Sequence, residues 1–226
     1  FKIPYTHSSA IASSIAMDKE ISKKLFIKNK IKTPKFFTYS YDISKSNLIE
    51  KINKYLRFPV VIKPLNEGSS VNVYISSKKT LDKILYKLKV YKKVLIEEFI
   101  GGREIQVAIM GDKKLGAIEL KPKRKFYDYQ AKYDSKSKTQ HLIPVDLPKS
   151  KFNKVMDIAY KAHKIIGCRG VTRSDFKFFN GNFYLLELNT QPGMTKLSLV
   201  PEIALYRGIS FLKLIEWMLK DASKKK

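Results

Sequence analysis

Val171-Thr172-Arg173-Ser174-Asp175-Phe176-Lys177-Phe178-Phe179, then Asn180-Gly181, then Asn182-Phe183-Tyr184-Leu185-Leu186-Glu187-Leu188-Asn189, is the most informative run of the chain. Segments rich in aromatic and β-branched residues flank Asn-Gly, the pair that most readily supplies the positive φ angles of a tight turn. Antiparallel strands over Val171 to Phe179 and Phe183 to Leu188 are expected. Strand side chains alternate between faces, so Arg173 shares a face with Asp175, and Glu187 with Asn189. Whether the two sets meet depends on register. A plain two-residue loop pairs residue 175 with 186 and sends the carboxylates to opposite faces, whereas a three-residue loop or a bulge pairs 175 with 187. The second register is expected, because it gathers two carboxylates and an amide into the hard-oxygen set that Mg²⁺ prefers when shared with phosphates. The plainer alternative is a solvated hairpin face. Leu185-Leu186-Glu187-Leu188 weakens it, since carboxylates among apolar strand residues are partly buried and need partners or a metal.

Upstream of that hairpin, Phe152 to Ile166 carries Val155, Ile158, Ala159, Ala162 and Ile166 on one helical stripe, with Gly167 as its stop. Arg103 to Met110 and Leu115 to Leu120 read as a hairpin across Gly111 to Lys114. Gly101-Gly102 separates this region from an earlier one of helix, strand, strand, helix, strand. There Asp42 to Leu56 and Leu81 to Leu88 are the helices, and Val60 to Lys63, Val71 to Ile75 and Val94 to Glu97 the strands. Ser13 to Ile31 is roughly helical through Ile15, Met17, Ile21, Leu25 and Ile27, and Thr33-Pro34 stops it; Asp18-Lys19 then lies on or near a helix start. The last helix, Phe211 to Leu219, is expected to bury 211, 212, 215, 218 and 219. From Lys121 to Leu142 neither period holds, and structureless stretches of that length are often lids or binding loops.

The chain has 226 residues, 44% hydrophobic and 12% aromatic, enough to build a core and to set disorder, collagen-like repeats and coiled coil aside. No apolar run approaches the roughly 18 to 20 residues of a bilayer-spanning helix, and no leader pattern opens the chain, so a cytoplasmic setting without a membrane partner is expected. Cys168 stands alone, and His7, His141 and His163 lack metal-ligand spacing, which rules out an internal disulfide and argues against zinc. The net charge of +25 invites a nucleic-acid reading. Against it, only six of the basic residues are Arg, the remainder being Lys spread over the whole length, whereas specific readers lean on the planar fork of Arg. A solvated Lys-rich surface and no nucleic-acid partner are expected. Because the first residue is Phe rather than Met, a fragment or processed form is also expected.

Two further constellations bear on chemistry. Lys63 ends a strand and is followed by the loop Glu67-Gly68-Ser69-Ser70, where small residues let backbone N–H groups approach an anion and a lysine supplies a point charge. Neither GxxxxGK[ST] nor GxGxxG occurs, and on spacing alone a polar hairpin tip is the better reading. Lys19 could add charge there. Within the long irregular stretch, Phe126-Tyr127-Asp128-Tyr129-Gln130-Ala131-Lys132-Tyr133 crowds Tyr and Lys that could contact phosphate and a small substrate; a loop without function is the bland alternative.

Taken together, these residues resemble the ATP-grasp superfamily, and within it the D-alanine:D-alanine ligases of bacterial cell-wall synthesis. The stretches that carry the resemblance are Ala16-Met17-Asp18-Lys19, Val61-Ile62-Lys63-Pro64 with Glu67-Gly68-Ser69-Ser70-Val71, and Phe126-Tyr127-Asp128-Tyr129 with Ala131-Lys132-Tyr133. Gly167-Cys168-Arg169-Gly170, Arg173 with Asp175, Asn189-Thr190, Pro192-Gly193-Met194-Thr195 and Ser198-Leu199-Val200-Pro201 follow in family order. The resemblance implies an α+β ATP-grasp fold with the nucleotide between two lobes, residues 15–100 and 101–226. Residues 1–14 would then connect to a preceding domain that contributes a Glu and much of the first D-alanine site.

By the same carry-over, Lys19 and Lys63 meet the ATP phosphates, the Glu67, Ser69 and Ser70 loop closes over them, and Lys132 reaches the γ-phosphate. Glu97, Phe99, Ile100 and Glu104 hold adenine and ribose. Asp175, Glu187 and Asn189 carry two Mg²⁺ (or Mn²⁺) ions. Arg173 and the Gly193 N–H face the developing oxyanion, Tyr133 and Ser69 belong to a hydrogen-bonded trio, and Ser198 and Leu199 hold the second D-alanine. The implied reaction joins two D-alanines through an acyl phosphate for peptidoglycan synthesis, in a protein that forms a homodimer at full length. Four positions depart from the family: His7 and Asn72 where Gly is usual, Gln130 where Glu is, and Leu197 where His is. The alternatives are another ATP-grasp carboxylate–amine ligase and a basic nucleic-acid-binding module.

Overall fold

The computed structural model describes residues 3–121, 139–195 and 198–224. Strands β1 (Phe36–Ser40), β2 (Val60–Pro64), β3 (Tyr74–Ser76) and β4 (Lys93–Glu98) form an antiparallel sheet in the order β1-β4-β2-β3. Strict alternation along β2 and β4 sends Val60, Ile62, Val94 and Ile96 into one core with Leu48 and Ile52 of one helix and Leu81, Ile84, Leu85 and Leu88 of another. The opposite face carries Val61, Lys63, Leu95 and Glu97. Helix Lys45–Tyr55 starts at Ser44, whose side chain accepts the Asn47 N–H, and helix Leu81–Leu88 follows Thr80.

The second sheet contains β5 (Arg103–Met110), β6 (Lys113–Lys121), β7 (Gln140–Leu142), β8 (Val171–Phe179) and β9 (Asn182–Asn189), in the order β7-β6-β5-β8-β9. Ile105, Val107 and Ile109 of β5 face a long helix, Lys149–Ile166, that buries Val155, Met156, Ala159, Ala162 and Ile166. Gly167 ends that helix with φ 78°, the left-handed conformation that suits glycine at a helix stop. Ala108, Met110 and Ile118 point the other way, against helices Leu199–Tyr206 and Phe211–Ala222.

With the two N-terminal helices included, α1 (Ala10–Met17), α2 (Lys19–Lys28), α3 (Lys45–Tyr55), α4 (Leu81–Leu88), α5 (Lys149–Ile166), α6 (Leu199–Tyr206) and α7 (Phe211–Ala222) complete the described elements. Asp18 breaks the expected single helix in two: it ends α1, and its side chain accepts the Glu20 and Ile21 N–H groups to begin α2. The apolar stripe expected along α2 is not the buried one. Ile21 and Ile27 are 51% and 56% exposed, while Lys19, Ser22, Lys23 and Phe26 are buried: Lys23 meets Glu97 of the first sheet and Phe26 enters the core of the second.

Ala12, Ala16 and Phe26 pack into the second sheet's core among Ile105, Phe176 and Leu188. Helices α1 and α2 therefore rest on the second sheet, and α2 reaches toward the first with Lys19, with Lys23 on Glu97, and with Glu20, which pairs with Lys93 of β4 at 2.7 Å. A short strap joins the sheets: the Leu185 N–H of β9 donates to the Lys32 carbonyl, and the Glu98 N–H of β4 to the Lys35 carbonyl, each at 2.9 Å.

Other differences have local causes. Strand β1 lies in a stretch to which the sequence reading assigns no element. β3 begins only at Tyr74, because Ser69, Ser70 and Asn72 hold φ of 54°, 60° and 55°, left-handed values that no strand continues through. Helix α7 buries Leu214 and Asp221 while Leu212 and Leu219 stay exposed, so its inward face is rotated from the expected 211, 212, 215, 218 and 219. The irregular stretch from Lys121 to Leu142 ends in β7, paired with β6; residues 122–138 lie outside the described residues.

Candidate active site between the lobes

The cleft between the sheets encloses about 770 Å³ including its open mouth. From the first lobe it is lined by the non-helix face of β2 and β4, with Val61, Lys63 and Glu97, then by Phe99 and Ile100 where the chain crosses between lobes. Glu104, Asp175, Lys177 and Glu187 line it from the second sheet, and Lys19 from α2. Apolar walls with a few convergent charges are the usual make-up of a small-molecule site.

Two lysines clamp one carboxylate at its floor, and a third lies nearby. Glu97, 3% exposed, pairs through Oε1 with Lys63 Nζ at 2.5 Å and through Oε2 with Lys23 Nζ at 2.8 Å. Burial pushes the Glu97 carboxyl upward, and the ammoniums of Lys23 and Lys63 more than reverse this, leaving it below the usual range. Burial lowers the Lys23 ammonium to about 8 despite Glu97. Lys19 is lowered too, chiefly by burial and partly by Lys63, with Glu187 opposing. Its Nζ donates to the Glu67 carbonyl at 2.5 Å and stands 3.8 Å from Glu187 Oε2, so it touches both walls. Anions are the natural guests of such a floor.

On the facing wall the β8–β9 register pairs Asp175 with Glu187 and Arg173 with Asn189. Both geometries weighed from sequence occur together. The Asn180-Gly181 turn is tight, pairing Phe179 with Asn182, and a bulge between Asp175 and Phe176 leaves Leu186 as the extra residue. That residue restores the carboxylates to one face and itself lines the cleft. Arg173 grips Asp175 with both arms of its fork, Nε at 2.8 Å and Nη2 at 3.0 Å. Among the described residues no group of three His, Cys, Asp and Glu side chains is gathered for a metal. The donor set here is two carboxylates plus the Asn189 amide, all hard oxygens, which suits Mg²⁺ or Mn²⁺ and not zinc.

The loop over the cleft is tied to its own lobe. Asn72 Nδ2 donates to Tyr91 Oη at 2.8 Å, and Tyr91 Oη donates to Glu67 Oε1 at 3.1 Å. Glu67 and Ser70 line the cleft; Ser69 sits in the loop with φ 54°. Backbone held in sparsely populated conformations beside a cleft is often part of a binding device.

Residues 25–220 match the family model described as D-ala D-ala ligase C-terminus. The chain belongs to the D-alanine–D-alanine ligase family. It is 71% identical over 222 residues to the D-alanine–D-alanine ligase of Pelagibacter ubique, covering 98% of this chain and 73% of that relative. Among solved structures it is similar to the D-alanine–D-alanine ligase from Bacillus anthracis, with TM-score 0.85, 33% identity and coverage of 97% of this chain and 71% of that one. The same Bacillus enzyme complexed with ATP gives TM-score 0.82 at 30% identity, over 97% of this chain and 70% of that one.

Of the ligase residues anticipated from sequence, the cleft brings together Lys19, Lys63, Glu67, Ser70, Glu97, Phe99, Ile100, Glu104, Asp175 and Glu187. Glu104 is pinned by Lys177 at 3.0 Å directly across β5 and β8. Arg173 and Asn189 stand beside the lining on the same sheet face. Gly193, Ser198 and Leu199 lie beyond β9: a Cβ at 193 would come within 2.9 Å of Ser198 Oγ, so a larger residue there would displace that hydroxyl. The assigned Lys132 and Tyr133, and the departures Gln130 and Leu197, lie outside the described residues. Lys23, Lys177 and Leu186 were not anticipated. The i, i+4 spacing of Lys19 and Lys23 on one helix face was the available signal for the first; a lysine facing Glu104 across two strands becomes visible only once register is known.

Proposed function

We propose that this chain carries out the chemistry of its family, ATP-dependent joining of two D-alanines to D-alanyl-D-alanine, in the cytoplasm and for peptidoglycan synthesis. The observation that carries the reading is the cleft in which Lys19 and Lys63 face Asp175 and Glu187 across two sheets. Cations on one wall and hard-oxygen donors on the other are what a metal-bound polyphosphate requires, and phosphoryl transfer depends more on positioning and charge neutralisation than on covalent help.

In this reading Lys19 and Lys63 hold the phosphates and the Glu67–Ser70 loop covers them. Phe99 and Ile100 supply the apolar wall for the adenine, Glu97 keeps Lys63 in place beneath it, and Glu104 accepts from the ribose. Asp175, Glu187 and Asn189 would hold two Mg²⁺ or Mn²⁺ ions, which when bound neutralise phosphate oxygens. Lys132 would reach the γ-phosphate. A carboxylate oxygen of the first D-alanine attacks the γ-phosphorus as ADP departs; the amine of the second then attacks the acyl carbon, loses a proton, and inorganic phosphate leaves. Arg173 and the Gly193 N–H would steady the oxyanion of that second step, with Tyr133 and Ser69 orienting the first substrate and Ser198 and Leu199 the carboxylate of the second.

The test is a thermal-shift titration with Mg·ATP beside a D-alanine-dependent phosphate-release assay. A rise in melting midpoint that vanishes in Asp175→Asn plus Glu187→Gln is expected. A rise that survives both substitutions would defeat the metal assignment, and no rise at all would defeat the nucleotide reading.

A further inference from the structure

Lys23 has no surface through which to meet a ligand. Its side chain is 0% exposed, its ammonium donates to Thr33 Oγ1 at 2.6 Å, and it pairs with Glu97 Oε2 at 2.8 Å. Stability alone gives little reason for such a group, because a buried ion pair is often matched or bettered by apolar residues of similar volume. The reason lies on the other side of Glu97. Were that carboxylate to face Lys63 alone, the two charges would cancel and Lys63 would offer a phosphate little net field. Lys23 compensates Glu97 from behind, so the ammonium of Lys63 keeps its charge for the cleft. Hydrogen-bonded to Lys63 through Oε1 and ion-paired with Lys23 at Oε2, the carboxylate also fixes the direction of the Lys63 side chain. The other charged groups acting on Lys23 are Lys63, whose ammonium opposes its charge from the far side of Glu97, and Glu187 from the facing sheet, which favours it.

We propose that Lys23 is a positioning residue for nucleotide binding: through Glu97 it both orients Lys63 and frees its charge for the polyphosphate. The inference rests on the nucleotide reading of the cleft and assigns a role to a residue that never touches the nucleotide.

The experiment is calorimetric binding of ATP, ADP and adenosine to the chain, to Lys23→Met, and to Lys23→Met with Glu97→Gln. In the single variant ATP and ADP should lose about tenfold or more in affinity and adenosine less than about twofold, and the added Glu97→Gln should recover most of the loss. Recovery is the discriminating readout, since a packing role would make the double variant worse. Equal losses for adenosine and ATP, or a double variant that binds ATP no better than the single one, would overturn the proposal. If the unaltered chain bound none of the three, the nucleotide reading would fail first and the proposal with it. Lys23→Gln keeps a donor for Thr33 and Glu97 and covers the case in which Lys23→Met does not fold; it must show the same selective loss.

Discussion

At Lys23 the chemistry of a single group sets a measurable slope. Its ammonium is lowered by burial from the ordinary lysine value of 10.5 to about 8 in the folded chain. Below about 8 both folded and unfolded states hold the proton, and the cost of burying the charge is constant. Between about 8 and 10.5 the unfolded state holds more protons, so the contribution of this group to stability rises with pH until the gain is complete. Glu97 acts at the acid end: its lowered carboxyl contributes stability above the ordinary carboxylate value that is lost as pH falls through the folded one. The difference in thermal midpoint between the unaltered chain and Lys23→Met should therefore move in favour of the unaltered chain from pH 7.5 to about 10. Parallel profiles would show that Lys23 is not depressed.

Among the elements, α2 is the one whose placement the cleft depends on most, because it delivers Lys19 and Lys23 from a single face. Asp18 starts it by accepting the Glu20 and Ile21 N–H groups at 2.9 Å. Asp18→Ala should cost about 1 kcal/mol, the scale of a lost helix cap, and lower the melting midpoint by about 2 to 4 °C, with weakened Mg·ATP binding. An unchanged midpoint would mean that tertiary contacts alone hold the helix start. The same element shows where sequence reading reaches its limit. Periodicity found the helical stretch through Ile15, Met17, Ile21, Leu25 and Ile27, but a rule that follows apolar groups has no way to foresee that a buried lysine of this helix joins Lys63 on Glu97. The β8–β9 hairpin was more legible: Asn180-Gly181 marked the turn, and the carboxylates chose between two registers. That the choice would be met by a bulge at Leu186 and not by a longer loop is something alternation does not encode. Helix α6 was not assigned from sequence; Pro201 lies in its first turn, which has no need of that N–H.

Over the whole molecule the charge is far from balanced. A net +25 spread over the surface repels itself, and salt screens that repulsion while leaving the buried cluster around Glu97 largely untouched. Raising salt from about 0.02 to about 0.3 M should therefore raise the melting midpoint in the absence of nucleotide, and a midpoint that falls would mean that surface ion pairs outweigh the repulsion. Exposed pairs such as Lys45–Asp82 and Lys164–Asp112 oppose this only weakly. Among the described residues no helix is long and apolar enough to cross a membrane. The strap between Lys32 and Lys35 has a mechanical corollary. Its two carbonyls are anchored to different sheets, and the few residues between them reach at most about 10 Å when fully extended. Pro34, in its middle, removes one of the torsions by which such a tether could lengthen. While both bonds hold, the sheets cannot draw apart along that line; the mouth can widen only by swinging about it, as a book opens on its spine.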